Sequence, residues 1–138
     1  MIILAVDDDP EDFEFFFDAV KKVDQSIIVL KASNGQEALQ ILEDHVLMPD
    51  YIFLDINMPM MDGQSCLREI KANAKLKDIP VVMYSTTNNM SEISKYKTMG
   101  ASFLVKPHQF SKLVKSLAVI LGYSDEKSDY FFTFSLTF

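Results

Sequence analysis

Five short apolar runs alternate with five amphipathic helical patterns along 138 residues. That alternation predicts an α/β fold: a doubly wound, five-stranded parallel sheet in the order 2-1-3-4-5, with helices on both faces. The first run, residues 2–6, is continuously apolar, consistent with a strand buried on both faces. The chain is long enough for one real core and too short for two.

The first strand is "IILAV" (2–6). Asp9 then stands as an N-cap and Pro10 at the first helical position, opening a helix over 10–23 that buries Phe13, Phe16, Phe17 and Val20. "SIIVLKA" (26–32) reads as the second strand, and "NGQEALQILEDHV" as a helix opened by Asn34 and Gly35. The third strand is "YIFLDI" (51–56), followed through "NMPMMDG" by a helix over 64–72 that packs Cys66, Leu67 and Ile70. Asp62 is expected in the turn, and Met58, Met60 and Met61 as loop packing. "IPVVMYS" (79–85) is the fourth strand and "SFLV" (102–105) the fifth, with a helix over 91–99 between them. The last helix, 109–121, turns Phe110, Leu113, Leu117 and Ile120 inward and stops at Gly122.

Bulk composition narrows the function. Thirteen Lys and Arg face twenty Asp and Glu, a net charge of −7. No cationic excess exists to neutralise nucleic-acid phosphates or to hold an anionic membrane surface. Apolar runs are strand-length, so no membrane span is expected, and "MIILAVDDD" lacks the basic start of a signal peptide. A lone Cys66 suits a reducing compartment and reads as core filler, so the expected location is the cytoplasm. His45 and His108 have no ligand spacing and read as surface residues.

In a doubly wound sheet, ligands gather at the carboxyl ends of the strands. There the sequence places Asp7 and Asp8, Asp55, Ser85 with Thr86 and Thr87, and Lys106. Three carboxylates that close cannot all stay ionised without compensation, and a hard divalent cation is the simplest remedy. Mg²⁺ fits, with Asp8 and Asp55 as direct ligands and Asp7 acting through a water. Lys106 beside such a site makes sense if a phosphoryl group arrives. An aspartate can accept one as an acyl phosphate, with Lys106 and the Ser85 hydroxyl neutralising its oxygens.

The segments "VDDD" (6–9), "LDINMPMMDG" (54–63), "VVMYSTT" (81–87) and "GASFLVKP" (100–107) together resemble the receiver domains of response regulators in two-component signalling, over residues 1–121. The resemblance implies the flavodoxin-like receiver fold and a non-enzymatic role. Asp55 would be the phosphoacceptor, Asp7 and Asp8 the acidic pair, Ser85 the switch hydroxyl and Lys106 the phosphate-binding cation. The backbone carbonyl of Asn57 would complete the Mg²⁺ ligands, and Pro59 and Gly63 would shape the loop beneath. Asn57 and Thr87 would flank the line of water attack. The expected phosphoryl donor is a histidine kinase or histidine phosphotransfer protein, and the docking surface for a downstream protein is residues 91–119. Between Gly100 and Lys106 the chain is one residue shorter than many relatives, which puts the aromatic switch position on Phe103, a ring without a hydrogen-bonding group.

Two other readings compete. A Mg²⁺-dependent aspartyl phosphohydrolase of the haloacid dehalogenase type would need an acid two residues after the nucleophile, where Asn57 stands. An inactive scaffold conflicts with intact Asp8, Asp55, Ser85 and Lys106. Domain 1–122 is followed by residues 123–138, a polar spacer and then "YFFTFSLTF", whose period-two alternation reads as a strand. Sixteen residues leave no room for an output domain, so the expected output is docking on another protein or passing phosphate onward. The tail is expected to pack on its own domain or to pair with a second chain as a homodimer.

Overall fold

The computed structural model describes residues 1–44, 46 and 48–133. Strands and helices alternate as β1 (Ile2–Val6), α1 (Pro10–Val23), β2 (Ile28–Ala32), α2 (Gly35–Asp44), β3 (Tyr51–Asp55), α3 (Gly63–Ala72), β4 (Val81–Ser85), α4 (Met90–Thr98), β5 (Ser102–Val105) and α5 (Phe110–Ile120). A further strand, β6 (Phe131–Phe132), follows. The sheet runs β2-β1-β3-β4-β5-β6. The first five strands are parallel and in the expected order, while β6 lies antiparallel on β5.

Local chemistry sets the boundaries. Asp9 caps α1 by accepting hydrogen bonds from the Glu11 and Asp12 amides, with Pro10 at the first turn and Lys21 and Lys22 in the last. β2 starts at Ile28, two residues later than the apolar run suggests. Asp24 takes the Ser26 amide at 2.9 Å and the Ser26 hydroxyl at 2.7 Å, so the chain is still turning there. β4 likewise starts at Val81, because the Ile79 amide closes a turn onto Leu76 and Pro80 has no N–H to give. Asp62 does more than occupy a turn: it caps α3, accepting from the Ser65 amide at 2.8 Å. Phe110, expected inward, is 38% exposed because it is the first residue of α5; its ring meets Phe15 edge-on at 5.6 Å. Gly122 ends the helix with φ +85°, a left-handed stop that suits glycine.

The sheet divides the core in two. Phe16, Ala19 and Val20 of α1 and Leu113, Leu117 and Ile120 of α5 cover one face. Ala38 and Leu42 of α2, Cys66, Leu67 and Ile70 of α3, and Ile93 and Tyr96 of α4 cover the other. Burial pushes the Cys66 thiol up to about 12, so it serves as a small apolar filler. His108 is exposed, while His45 lies outside the described residues. No helix among the described residues is long and apolar enough to cross a membrane.

The described part of the tail packs on its own domain. Phe132 pairs with Phe103 and Phe131 with Leu104, and the Val105 amide donates to the Tyr130 carbonyl at 2.9 Å. Ser128 and Ser116 share a hydroxyl hydrogen bond of 2.6 Å, and Glu126 meets Lys115 at 3.2 Å. Phe134, Leu136 and Phe138, which carry the rest of the alternation, lie outside the described residues.

Candidate functional site

Parallel pairing brings the ends of β1, β3, β4 and β5 to one rim. Val6 lies opposite Leu54, Asp55 opposite Tyr84, and Ser85 opposite Val105. The next residues out are therefore Asp7 and Lys106, and residues far apart in sequence meet. Carboxylate oxygens of Asp7, Asp8 and Asp55 fall within 4.8 Å of one another. Asp8 is exposed, whereas Asp7 is 5% exposed and the Asp55 side chain 13%.

Lys106 enters this acidic group from β5. Its ammonium lies 3.4 Å from Asp7 Oδ2 and 3.9 Å from Asp55 Oδ1. A third carboxylate, Asp12 Oδ2 on α1, is nearer still at 3.1 Å. The ammonium also sits 4.8 Å from the centroid of the Tyr84 ring. Sequence reasoning missed both Asp12 and Tyr84. An acid in the first turn of a helix is already accounted for by the helix dipole, and Tyr84 lies inside an apolar strand.

The electrostatics record a surplus of negative charge. Burial pushes the Asp55 carboxyl up to about 6; Lys106 opposes the rise and Asp7 adds to it. Asp7 is raised as well, chiefly by burial, against the Asp9 amide that donates to it at 3.0 Å and against Lys106. Burial works to lower the Lys106 ammonium, but Asp55, Asp7 and Asp12 together outweigh it and hold it above the usual lysine value. All-oxygen donors, half-buried and short of positive charge, fit a hard divalent cation such as Mg²⁺.

The other sequence candidates take their places around this centre. Ser85 is 5% exposed, and its hydroxyl accepts from the Thr87 amide at 3.3 Å. Its carbonyl takes the Lys106 amide at 2.8 Å, which ties the two strand ends together. Asn57 is exposed on the loop after β3. Beneath that loop Gly63 donates its amide to the Ile56 carbonyl at 2.7 Å, and a Cβ on it would run into the Asp55 carbonyl and come within 2.8 Å of Ile56 Cα. Met58 and Met61 pack inward from the same loop, whereas Met60, expected to pack, is 76% exposed at φ 67°. Phe103 is fully buried, its ring centroid 6.0 Å from that of Tyr96.

Residues 3–118 match the response regulator receiver domain family. The chain belongs to that family. Response regulator Rcp1 of Synechocystis is 32% identical over 122 residues, spanning 83% of this chain and 82% of Rcp1. Two longer curated relatives, from Vibrio cholerae and Priestia megaterium, are 40% and 28% identical, and the chain spans 31% and 49% of their lengths. Among solved structures, the phosphorylated cyanobacterial phytochrome response regulator RcpA superposes with a TM-score of 0.78 at 29% identity, covering 89% of this chain and 95% of that one. The Mn²⁺-bound form of Rcp1 gives 0.75 at 27% identity, covering 88% and 92%. This receiver carries its five parallel strands in the order β2-β1-β3-β4-β5 of that fold, with β6 at the β5 edge.

Proposed function

We propose that this receiver is a phosphorylation-controlled switch. Asp55 takes a phosphoryl group from a histidine kinase or histidine phosphotransfer protein, and the phosphorylated rim controls docking on a partner protein or passes the phosphate onward. The observation that carries this reading is a single one: Asp55 stands within 4.8 Å of Asp7 and Asp8 and 3.9 Å from the Lys106 ammonium. Phosphorylated RcpA and Mn²⁺-bound Rcp1, both similar in fold and sequence, support it.

Asp8 and Asp55 are the proposed direct ligands of Mg²⁺, with the Asn57 carbonyl as a third and Asp7 acting through water. The ion, when bound, neutralises charge on the oxygens of the transferring phosphoryl group. An Asp55 carboxylate oxygen forms the new P–O bond as the donor's P–N or P–O bond breaks, and that electron pair leaves with the donor. Lys106 and Ser85 then donate to phosphoryl oxygens, and drawing Ser85 inward is the step that would free Phe103 to move. The Phe103 ring meets that of Tyr96 on α4, and Phe103 pairs in register with Phe132 of β6. A change there would thus reach the proposed docking surface, residues 91–119, together with the strand that lines its edge.

The test is intact-protein mass after incubation with acetyl phosphate and Mg²⁺. One phosphoryl group is expected on the wild type, none on Asp55→Asn and none without Mg²⁺. Asp8→Ala should weaken Mg²⁺ binding and slow the reaction, while Lys106→Ala should still phosphorylate but lose the switch. Phosphate on Asp55→Asn at the wild-type rate would overturn the assignment.

A further inference from the structure

Lys106 has one more carboxylate partner than phosphoryl chemistry asks of it. Two of the three, Asp7 and Asp55, stand at strand ends; the third, Asp12, comes from α1 and makes the shortest contact, 3.1 Å against 3.4 and 3.9 Å. Asp12 is held in place by its helix. Pro10 fixes the first turn, and the Asp9 side chain binds the amides of Glu11 and Asp12. On the far side the ammonium rests over Tyr84, whose ring packs 5.4 Å from that of Phe16 on the same helix. Helix α1 therefore supplies both the carboxylate and a prop for the ring beneath Lys106.

Asp12 also differs from the other two partners in what a cation would do to it. Asp7 and Asp55 belong to the group of oxygens within 4.8 Å that could share a metal ion, and Asp12 does not. A dication among the first group would offset their pull on the ammonium and repel it, leaving Asp12 as its one undiminished partner. A phosphoryl group on Asp55 would then have to draw Lys106 away from Asp12.

We propose that Asp12 is a positioning residue: it anchors the Lys106 ammonium in the resting receiver and competes with a phosphoryl group on Asp55 for it. The competition rests on the phosphoacceptor reading of Asp55. The Asp12 side chain is 48% exposed, so solvent weakens its hold. Removing a half-exposed partner of this kind shifts a binding constant by about two- to fivefold.

Two measurements on the full chain test the two halves separately. The first reads the ion pair itself: the ¹⁵Nζ resonance of Lys106 in metal-free protein, wild type against Asp12→Asn. The substitution keeps shape and removes charge, and it should move and broaden the Lys106 signal; an unmoved signal overturns the anchor whatever the chemistry at Asp55. The second is the affinity for beryllium fluoride, a phosphoryl mimic, in the presence of Mg²⁺. Asp12→Asn should bind it about two- to fivefold more tightly, and that gain should vanish when Lys106 is already alanine. The same gain in the Lys106→Ala background would mean that Asp12 merely repels the anion, and weaker binding in Asp12→Asn would mean that it helps the bound state; either overturns the competition. Failure of the wild type to take up beryllium fluoride overturns the phosphoacceptor reading and the competition with it, while the Lys106 resonance still decides the anchor.

Discussion

Asp55 holds its proton to about pH 6 in the folded, metal-free receiver, against 3.8 for an ordinary aspartate. Between those values the native state binds more protons than the unfolded chain, so stability falls as pH rises through the window and is level above it. The ionised Asp55 thus costs stability at neutral pH, and Asp55→Asn should be more stable than wild type at pH 7.5 by on the order of 1–3 kcal/mol. Denaturant titrations in chelator at pH 7.5 and pH 4 check this: the gap should close at the lower pH, and a gap of equal size would sink burial as its cause. Gly63 makes the opposite case. Any Cβ there presses on the backbone of Asp55 and Ile56, so Gly63→Ala should lose about 1–3 kcal/mol and phosphorylate more slowly. Of these residues, Asp7, Asp8, Asp55, Ser85 and Lys106 were legible because each ends an apolar run, and strand ends are where this topology gathers ligands. Asp12 was not, since its contact with Lys106 depends on the angle at which α1 crosses the sheet, which a one-dimensional pattern does not carry.

Among the elements, β6 shows how far periodicity reaches and where it stops. The alternation in residues 130–138 says that one face of a strand is buried, but a period of two says nothing about which neighbour buries it. The structure supplies the neighbour: β5, otherwise an open edge, gains the Phe103–Phe132 and Leu104–Phe131 pairs. The inner strands β1, β3 and β4 were easier to read, because burial on both faces writes itself as an apolar run, whereas β2, at the sheet edge, is interrupted by the exposed Lys31. Where reading failed, as at the start of β2, a local competitor had won: Asp24 captures the Ser26 amide and hydroxyl before the ladder begins. Tyr130, Phe131 and Phe132 are half-buried against the two cores. Truncation after Gly122 should therefore cost roughly 1–3 kcal/mol, the burial of three half-covered rings less the entropy of ordering the tail. It should also uncover the β5 edge and make self-association rise with concentration. Denaturant melts and light scattering on the truncated chain would show both effects. An unchanged melt with a monomeric truncated form would mean that β6 contributes nothing to the fold.

At the scale of the whole molecule, the topology spends stability to build the rim. Crossover connections carry Asp7, Asp55 and Lys106 from three separate strands to one edge of a chain that already bears a net charge of −7. Lys106 alone offsets only part of the charge, as the raised Asp7 and Asp55 carboxyls show. A dication that binds the folded rim and not the unfolded chain should therefore stabilise the receiver by mass action. At ten times its Kd, Mg²⁺ would add about 1.4 kcal/mol, raising Tm by roughly 3–6 °C for a domain of this size. General screening by salt would also relieve a chain of this charge, so the comparison is with NaCl at matched ionic strength. The Mg²⁺-specific rise should be lost in Asp8→Ala, which takes away a ligand. It should be largest above pH 6, where Asp55 is ionised in the folded state, and shrink as acid protonates it, because a proton and the metal compete for the same oxygens. An equal rise with NaCl, or one that survives Asp8→Ala, would mean that the rim is relieved by ionic atmosphere alone.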